Sequence, residues 1–196
     1  MLILASTSPT RKALLANAGI AFEAVRARVN ERDVEAEALV EGVSPEALAL
    51  RLAEAKARSV EGEAVVGSDQ ILELDGGVLH KAGDIEEARR RLDQLRGRVH
   101  VLHTAAVLMR DGRPAWSTVE TARLAMRAFS DSERDAVLEA EGDEVLGSVG
   151  AYRLEGPSIR LFERIEGDYF AILGLPLLPL IAALRQHAPA ALERFT

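Results

Sequence analysis

Short apolar runs of strand length alternate with capped helical segments through the first half of the chain, and this alternation restricts the fold more than any other feature. Leu2-Ile3-Leu4-Ala5 is a continuous apolar run, read as a buried strand. Ser6-Thr7-Ser8-Pro9 follows, with Ser8 placed to cap and Pro9 to begin a helix predicted over 10–18 and stopped by Gly19. A second strand is predicted over 21–25, and residues 30–37 read as acidic and irregular. Ser44-Pro45-Glu46 opens a helix running to about Ser59, and Ala64-Val65-Val66-Gly67 is a short buried strand.

The second half changes character. Residues 71–80 predict a hairpin turning at Asp75-Gly76-Gly77. Asp84-Ile85-Glu86-Glu87 and Ser130-Asp131-Ser132-Glu133 are capping boxes, opening helices that stop near Gly97 and Gly142. Two longer strands over 99–109 and 115–129 are joined by Asp111-Gly112. A glycine-rich loop, Gly147-Ser148-Val149-Gly150, precedes a strand over 159–165 and a final helix to about His187. Helices alternating with strands, then hairpins, predict an α/β fold: a mixed β-sheet flanked by helices, with room for a cleft between two lobes. No repeat or linker divides the 196 residues, which read as one domain, 1–196.

Composition removes several functions. The chain has no cysteine, so disulfides, thiolate catalysis and cysteine-based zinc sites are excluded. A net charge of −7 and 4% aromatic residues argue against a nucleic-acid surface, so any phosphate must be held in a local pocket. The first six residues lack a basic region and a long apolar run, as a signal peptide would require. The longest apolar stretch, 174–184, is too short for a bilayer and holds Pro176 and Pro179. A cytoplasmic protein with no membrane partner is expected.

Three segments can carry chemistry. The turn Ser6 to Lys12 gathers hydroxyls where a strand ends and a helix begins. Arg11 and Lys12 there oppose the usual helix-dipole preference, which makes sense if an anion sits at the helix start; the alternative is an ordinary capped helix with solvated cations. Lys56 continues the Leu48, Leu52 stripe of its helix. Either it has a buried anionic partner or its stem packs and its head snorkels to water, and the second reading requires nothing else. Asp69 lies just past the run Val65-Val66-Gly67, at a strand end where ligands of open α/β sheets collect; it can hold a divalent metal, activate a water, or bond its own turn. Glu31 is a possible second metal carboxylate and Lys81 a possible phosphate cation. The four histidines have no metal-ligand spacing, and no P-loop, HExxH or GxSxG motif is present.

In order along the chain, Leu2 to Arg11, Ala53-Glu54-Ala55-Lys56-Ala57, Val66-Gly67-Ser68-Asp69-Gln70, Lys81, Gly147 to Tyr152 with Glu155-Gly156, and Leu161 to Asp168 running into Gly174-Leu175-Pro176-Leu177 resemble the Maf family of nucleotide pyrophosphatases. The resemblance implies a fold related to the inosine-triphosphate pyrophosphatases, a cleft and a homodimer. It implies hydrolysis of a nucleoside triphosphate to a monophosphate and pyrophosphate, with Mg²⁺ or Mn²⁺ held by Glu31 and Asp69. Asp69 matches the general base, while Ser6, Ser8, Arg11, Lys12, Lys56 and Lys81 fall around the phosphates. Thr10, Gln70 and Glu155 match base-selecting positions. Ser-Asp-Gln resembles the branch acting on 7-methyl-GTP, whereas the dTTP/UTP branch usually has Ala-Asp-Thr. Thr10 replaces a common aromatic residue, Lys12 a common arginine, Ala82 a proline and Asn30 an aspartate. The alternatives are a dTTP/UTP pyrophosphatase and a nucleotide-binding division regulator with little catalysis.

Overall fold

The computed structural model describes residues 1–195. Its strands are β1 (Leu2–Leu4), β2 (Phe22–Ala24), β3 (Ala64–Leu74), β4 (Gly77–Leu79), β5 (Val99–Arg110), β6 (Arg113–Met126) and β7 (Phe162–Glu166). Its helices are α1 (Pro9–Asn17), α2 (Glu31–Glu41), α3 (Pro45–Arg58), α4 (Ile85–Leu95), α5 (Asp131–Glu141), the single turn α6 (Tyr169–Ile172) and α7 (Leu177–His187), with 3-10 turns between some of them. The strands form one sheet in the order β2-β1-β3-β5-β6-β7, with β4 paired to β3. β1 is parallel to both β2 and β3, while β3–β4 and β6–β7 are antiparallel, so the sheet is mixed as expected. Among the described residues, no helix is long and apolar enough to cross a membrane.

The chain divides into two compact units, and β3 passes from one to the other. The first unit comprises Met1–Gln70, Thr104–Glu120 and Asp168–Thr196. Along the central strands β3 and β5, buried side chains alternate between the two faces. Leu2, Leu4, Ala64, Val66, Ala106 and Leu108 share one face and pack with Leu14 and Leu15 of α1 and Leu177, Leu180 and Leu184 of α7. The opposite face of β3 carries Val65, Gly67 and Asp69 and receives α3. Serine caps are in place as read: Ser8 Oγ accepts from Arg11 N at 3.4 Å with Pro9 next, and Ser44 Oγ accepts from Ala47 N at 3.2 Å.

The second unit comprises Ile71–His103 and Thr121–Gly167. Asp75 and Gly76 adopt positive φ at the β3–β4 turn, as a two-residue hairpin with right-twisted strands requires. The Ser130–Glu133 capping box is complete. At Asp84 only half forms: Asp84 Oδ1 accepts from Glu87 N at 2.7 Å, but Glu87 Oε2 reaches back one residue further, to Gly83 N at 2.7 Å. A buried carboxylate, Glu141, accepts from both the amide and the hydroxyl of Ser158.

Three expectations need correction. Residues 30–37 are not irregular: α2 begins at Glu31 and ends at Gly42 in the left-handed conformation. Ala38 is its one buried residue, so no apolar stripe announces the helix, while Glu31 and Asp33 in the first turn complement its dipole. The strand at 64–67 does not stop there. It continues through Ser68-Asp69-Gln70 into the hairpin as an eleven-residue strand, so Asp69 lies inside β3 and not past its end. Residues 159–161 belong to a 3-10 turn, Pro157–Leu161, that leads into β7.

Candidate active site

β1 ends at Leu4, which pairs with Val66, while β3 continues. Ser68, Asp69 and Gln70 therefore extend beyond the paired part of β1, beside the Ser6–Ser8 turn that leads into α1. The strand-end logic that pointed to Asp69 holds for β1 and not for β3 itself. Ser6 is buried, and its hydroxyl accepts from Ser8 N at 3.2 Å and from Arg11 Nη1 at 3.5 Å. Of the turn's hydroxyls Ser6 alone is buried, and the first turn of α1 brings Arg11 to it.

Gly67 sets how closely α3 approaches β3. A Cβ built at Gly67 would stand 2.6 Å from Ala57 N and would run into the Ala53 carbonyl. Without it the two backbones touch, and Lys56 is carried over Asp69, the next β3 residue on that face. Lys56 Nζ donates to Asp69 Oδ1 and pairs with Glu31 Oε1 at 3.1 Å. Lys56 is 9% exposed and Asp69 7%, so snorkelling is overturned: the ammonium ends between two carboxylates and not in bulk water. Glu31, the first residue of α2, is half exposed and forms the solvent-facing side of this trio.

Burial pushes the Asp69 carboxyl above the usual aspartate range; Lys56 and Arg11 pull it back, and Glu31 adds to the rise. Burial likewise weakens the hold of the Arg11 guanidinium on its proton, and the charges of Asp69 and Glu31 restore part of it. The arrangement holds two carboxylates and two cations in mutual electrostatic reach. Their formal charges cancel, so an anionic ligand there requires further positive charge.

The other face of β3 makes a separate set of contacts. The two Gln70 Nε2 hydrogens are shared among Thr104 Oγ1 at 2.9 Å, Ala171 O at 3.1 Å and Ile172 O at 3.0 Å, and Thr104 Oγ1 donates to Ala171 O at 2.9 Å. The single Ser68 hydroxyl hydrogen is shared between Ala105 O at 2.8 Å and Gly174 O at 2.9 Å. Gly174 O also accepts from Arg11 Nε at 2.7 Å. Sequence reasoning assigned no role to Ser68, Thr104 or Gly174. Ser68 and Gly174 stand inside matched segments, but only the fold shows that their contacts meet at one carbonyl.

Thr10 is half-buried in the first turn of α1 and Lys12 follows Arg11 there; among the described residues, the ion pairs around Asp69 do not include Lys12. Lys81 and Glu155 belong to the second unit, where Lys81 is exposed and Glu155 Oε1 lies 3.8 Å from Arg153 Nε. Among the described residues no group of three or more histidines and carboxylates is gathered to hold a metal.

A family model described as "Maf-like protein" matches residues 1–187. A "Nucleoside triphosphate pyrophosphatase" from Caulobacter vibrioides is 50% identical over 187 residues, covering 94% of each chain. A "7-methyl-GTP pyrophosphatase" from Rhizobium meliloti is 50% identical over 190 residues, 95% of this chain and 96% of the relative. Another "7-methyl-GTP pyrophosphatase", from Mesorhizobium japonicum, is 53% identical over 188 residues, 94% of each.

Proposed function

This chain belongs to the Maf-like protein family, and from that premise we propose that it hydrolyses 7-methyl-GTP to 7-methyl-GMP and pyrophosphate at the Lys56–Asp69 site. Its activity is that of a nucleoside triphosphate pyrophosphatase, a hydrolase acting on a phosphoric anhydride. The observation that carries the site is the Lys56 ammonium held between Glu31 and Asp69 with the Arg11 charge felt at the same carboxylate.

Cleaving a triphosphate brings a nucleophile up to a polyanion, so charge must be neutralised first. Arg11, Lys56 and the positive end of the α1 dipole are the chain's own means of doing so. Lys12, next to Arg11 in α1, is a further cation for the phosphates. Asp69, oriented by Lys56, takes the proton of a water attacking the α-phosphorus, and the leaving pyrophosphate keeps the electrons of the broken P–O bond.

Glu31 and Asp69 also fit a divalent ion. Their hard oxygens are drawn to one cation position, and Mg²⁺ or Mn²⁺ needs only one or two carboxylates when substrate phosphates complete its shell. Such an ion supplies positive charge to the phosphates and lowers the pKa of water.

The choice of base rests on the names of two relatives and on Gln70, which fits the family branch acting on 7-methyl-GTP. The test is pyrophosphate release over a panel of ordinary and methylated triphosphates with Mg²⁺ or Mn²⁺, with Asp69→Asn as control. The expected result is highest kcat/KM on 7-methyl-GTP and no turnover in Asp69→Asn. Highest kcat/KM on dTTP or UTP replaces the substrate; full activity in Asp69→Asn removes Asp69 as base. Nucleotide binding without release of pyrophosphate from any member of the panel favours the division-regulator reading.

A further inference from the structure

We infer that Ser68 is a positioning residue for the phosphate-binding arginine, acting through the carbonyl of Gly174; this rests on the reading of Arg11 as a phosphate ligand. Three observations meet at that carbonyl. α6 has just ended: Gly174 N donates to Ala171 O at 2.8 Å and Leu175 N to Phe170 O at 3.1 Å, which closes the turn. Gly174 adopts φ +106°, a conformation side chains avoid, and a Cβ there would sit 3.4 Å from Arg11 Nε. Its oxygen receives Arg11 Nε at 2.7 Å on one side and the wholly buried Ser68 hydroxyl at 2.9 Å on the other.

A guanidinium has one Nε–H and two terminal amino groups. Committing Nε to Gly174 O fixes the plane, and with Nη1 also reaching Ser6 Oγ at 3.5 Å it leaves Nη2 and the second Nη1 hydrogen to meet an anion. A rotamer held before the ligand arrives loses less entropy on binding. The acceptor must itself be fixed for this to work. Ser68, rooted in β3 and also touching Ala105 O, ties the Gly174 oxygen to the sheet. Removing the hydroxyl leaves Arg11 its charge but loosens its aim. The consequence is a loss in substrate binding that exists only while Arg11 is present.

The test is a double-mutant cycle on pyrophosphate release, with kcat and KM measured for the wild type, Ser68→Ala, Arg11→Ala and the double variant, and thermal unfolding followed in parallel. The expected result is a fall of about 5–10-fold in kcat/KM for Ser68→Ala, mostly in KM, and a change below about twofold when Ser68→Ala is added to Arg11→Ala. The isosteric Ser68→Cys, which keeps a weak donor, stands in if Ser68→Ala does not fold and should lie between wild type and Ser68→Ala. Equal losses in both backgrounds, or wild-type kinetics in Ser68→Ala, overturn the inference. Wild-type activity in Arg11→Ala overturns instead the reading of Arg11 on which it rests.

Discussion

Gly67 and Ala57 stand so close that a Cβ on the glycine would lie 2.6 Å from the alanine amide nitrogen. Strand β3 and helix α3 touch there through backbone alone, one residue away from Lys56 on the helix and two away from Asp69 on the strand. Gly67→Ala must push α3 outward. We expect a loss of roughly 1–3 kcal/mol in stability from overpacking, together with a fall in kcat as Lys56 is lifted from Asp69. Chemical denaturation and kinetics on the same preparation check this; wild-type kcat in a destabilised Gly67→Ala would separate the packing from the site.

Lys56→Ala leaves a buried carboxylate facing no ammonium. We expect kcat/KM to fall roughly 100-fold or more, the scale of losing one charge-stabilising group, about 2.7–4 kcal/mol of barrier. Both kcat and KM should change, because Lys56 orients Asp69 and also faces the phosphates. Steady-state kinetics on the preferred triphosphate check it. An unchanged enzyme would mean that the ion pair is structural only.

Gln70 gives its amide nitrogen to Thr104, Ala171 and Ile172, so only its carbonyl oxygen remains to read a base. Gln70→Glu puts a carboxylate against the two main-chain carbonyls. We expect stability to fall by roughly 1–3 kcal/mol from the unpaired polar groups, and activity to fall on every nucleotide tested. Thermal unfolding and the substrate panel check this; a changed order of substrates at unchanged stability would assign Gln70 to base selection alone.

In the second unit His100 is wholly buried, with Nε2 2.8 Å from Tyr152 Oη. Burial pushes its pKa down to about 4, while the unfolded chain keeps the ordinary 6.5. Between those values the unfolded state binds the proton and the folded state does not, so stability falls as pH drops through 6.5 toward 4. The contribution is about 2 kcal/mol between pH 7 and pH 5. His100→Gln cannot bind that proton, so its stability should depend less on pH over this range by that amount. Urea titrations of both proteins at the two pH values check it, and identical slopes would contradict the assignment.

The local elements were legible because their causes are local. Ser8-Pro9, Ser44-Pro45 and Ser130–Glu133 each carry a cap and a helix start within four residues, and Asp75-Gly76 and Asp111-Gly112 supply the positive φ of tight hairpins. The mixed α/β sheet follows from the order of such elements. Helix α2 escaped notice because it buries one alanine and so lacks an apolar stripe. The continuity of β3 escaped because Ser68, Asp69 and Gln70 interrupt the apolar run with polar side chains whose partners lie 13 to 106 residues away.

The sequence by itself determined the caps, the turns, the sheet class and the chemical types available for phosphate, all set by interactions within a few residues. Tertiary structure alone decided that Lys56 meets Asp69 and Glu31 and does not reach for water, and that Ser68 and Arg11 share the oxygen of Gly174. Which anion a buried cation faces depends on how two backbones pack, and at Gly67 that distance is set by an atom the residue does not have.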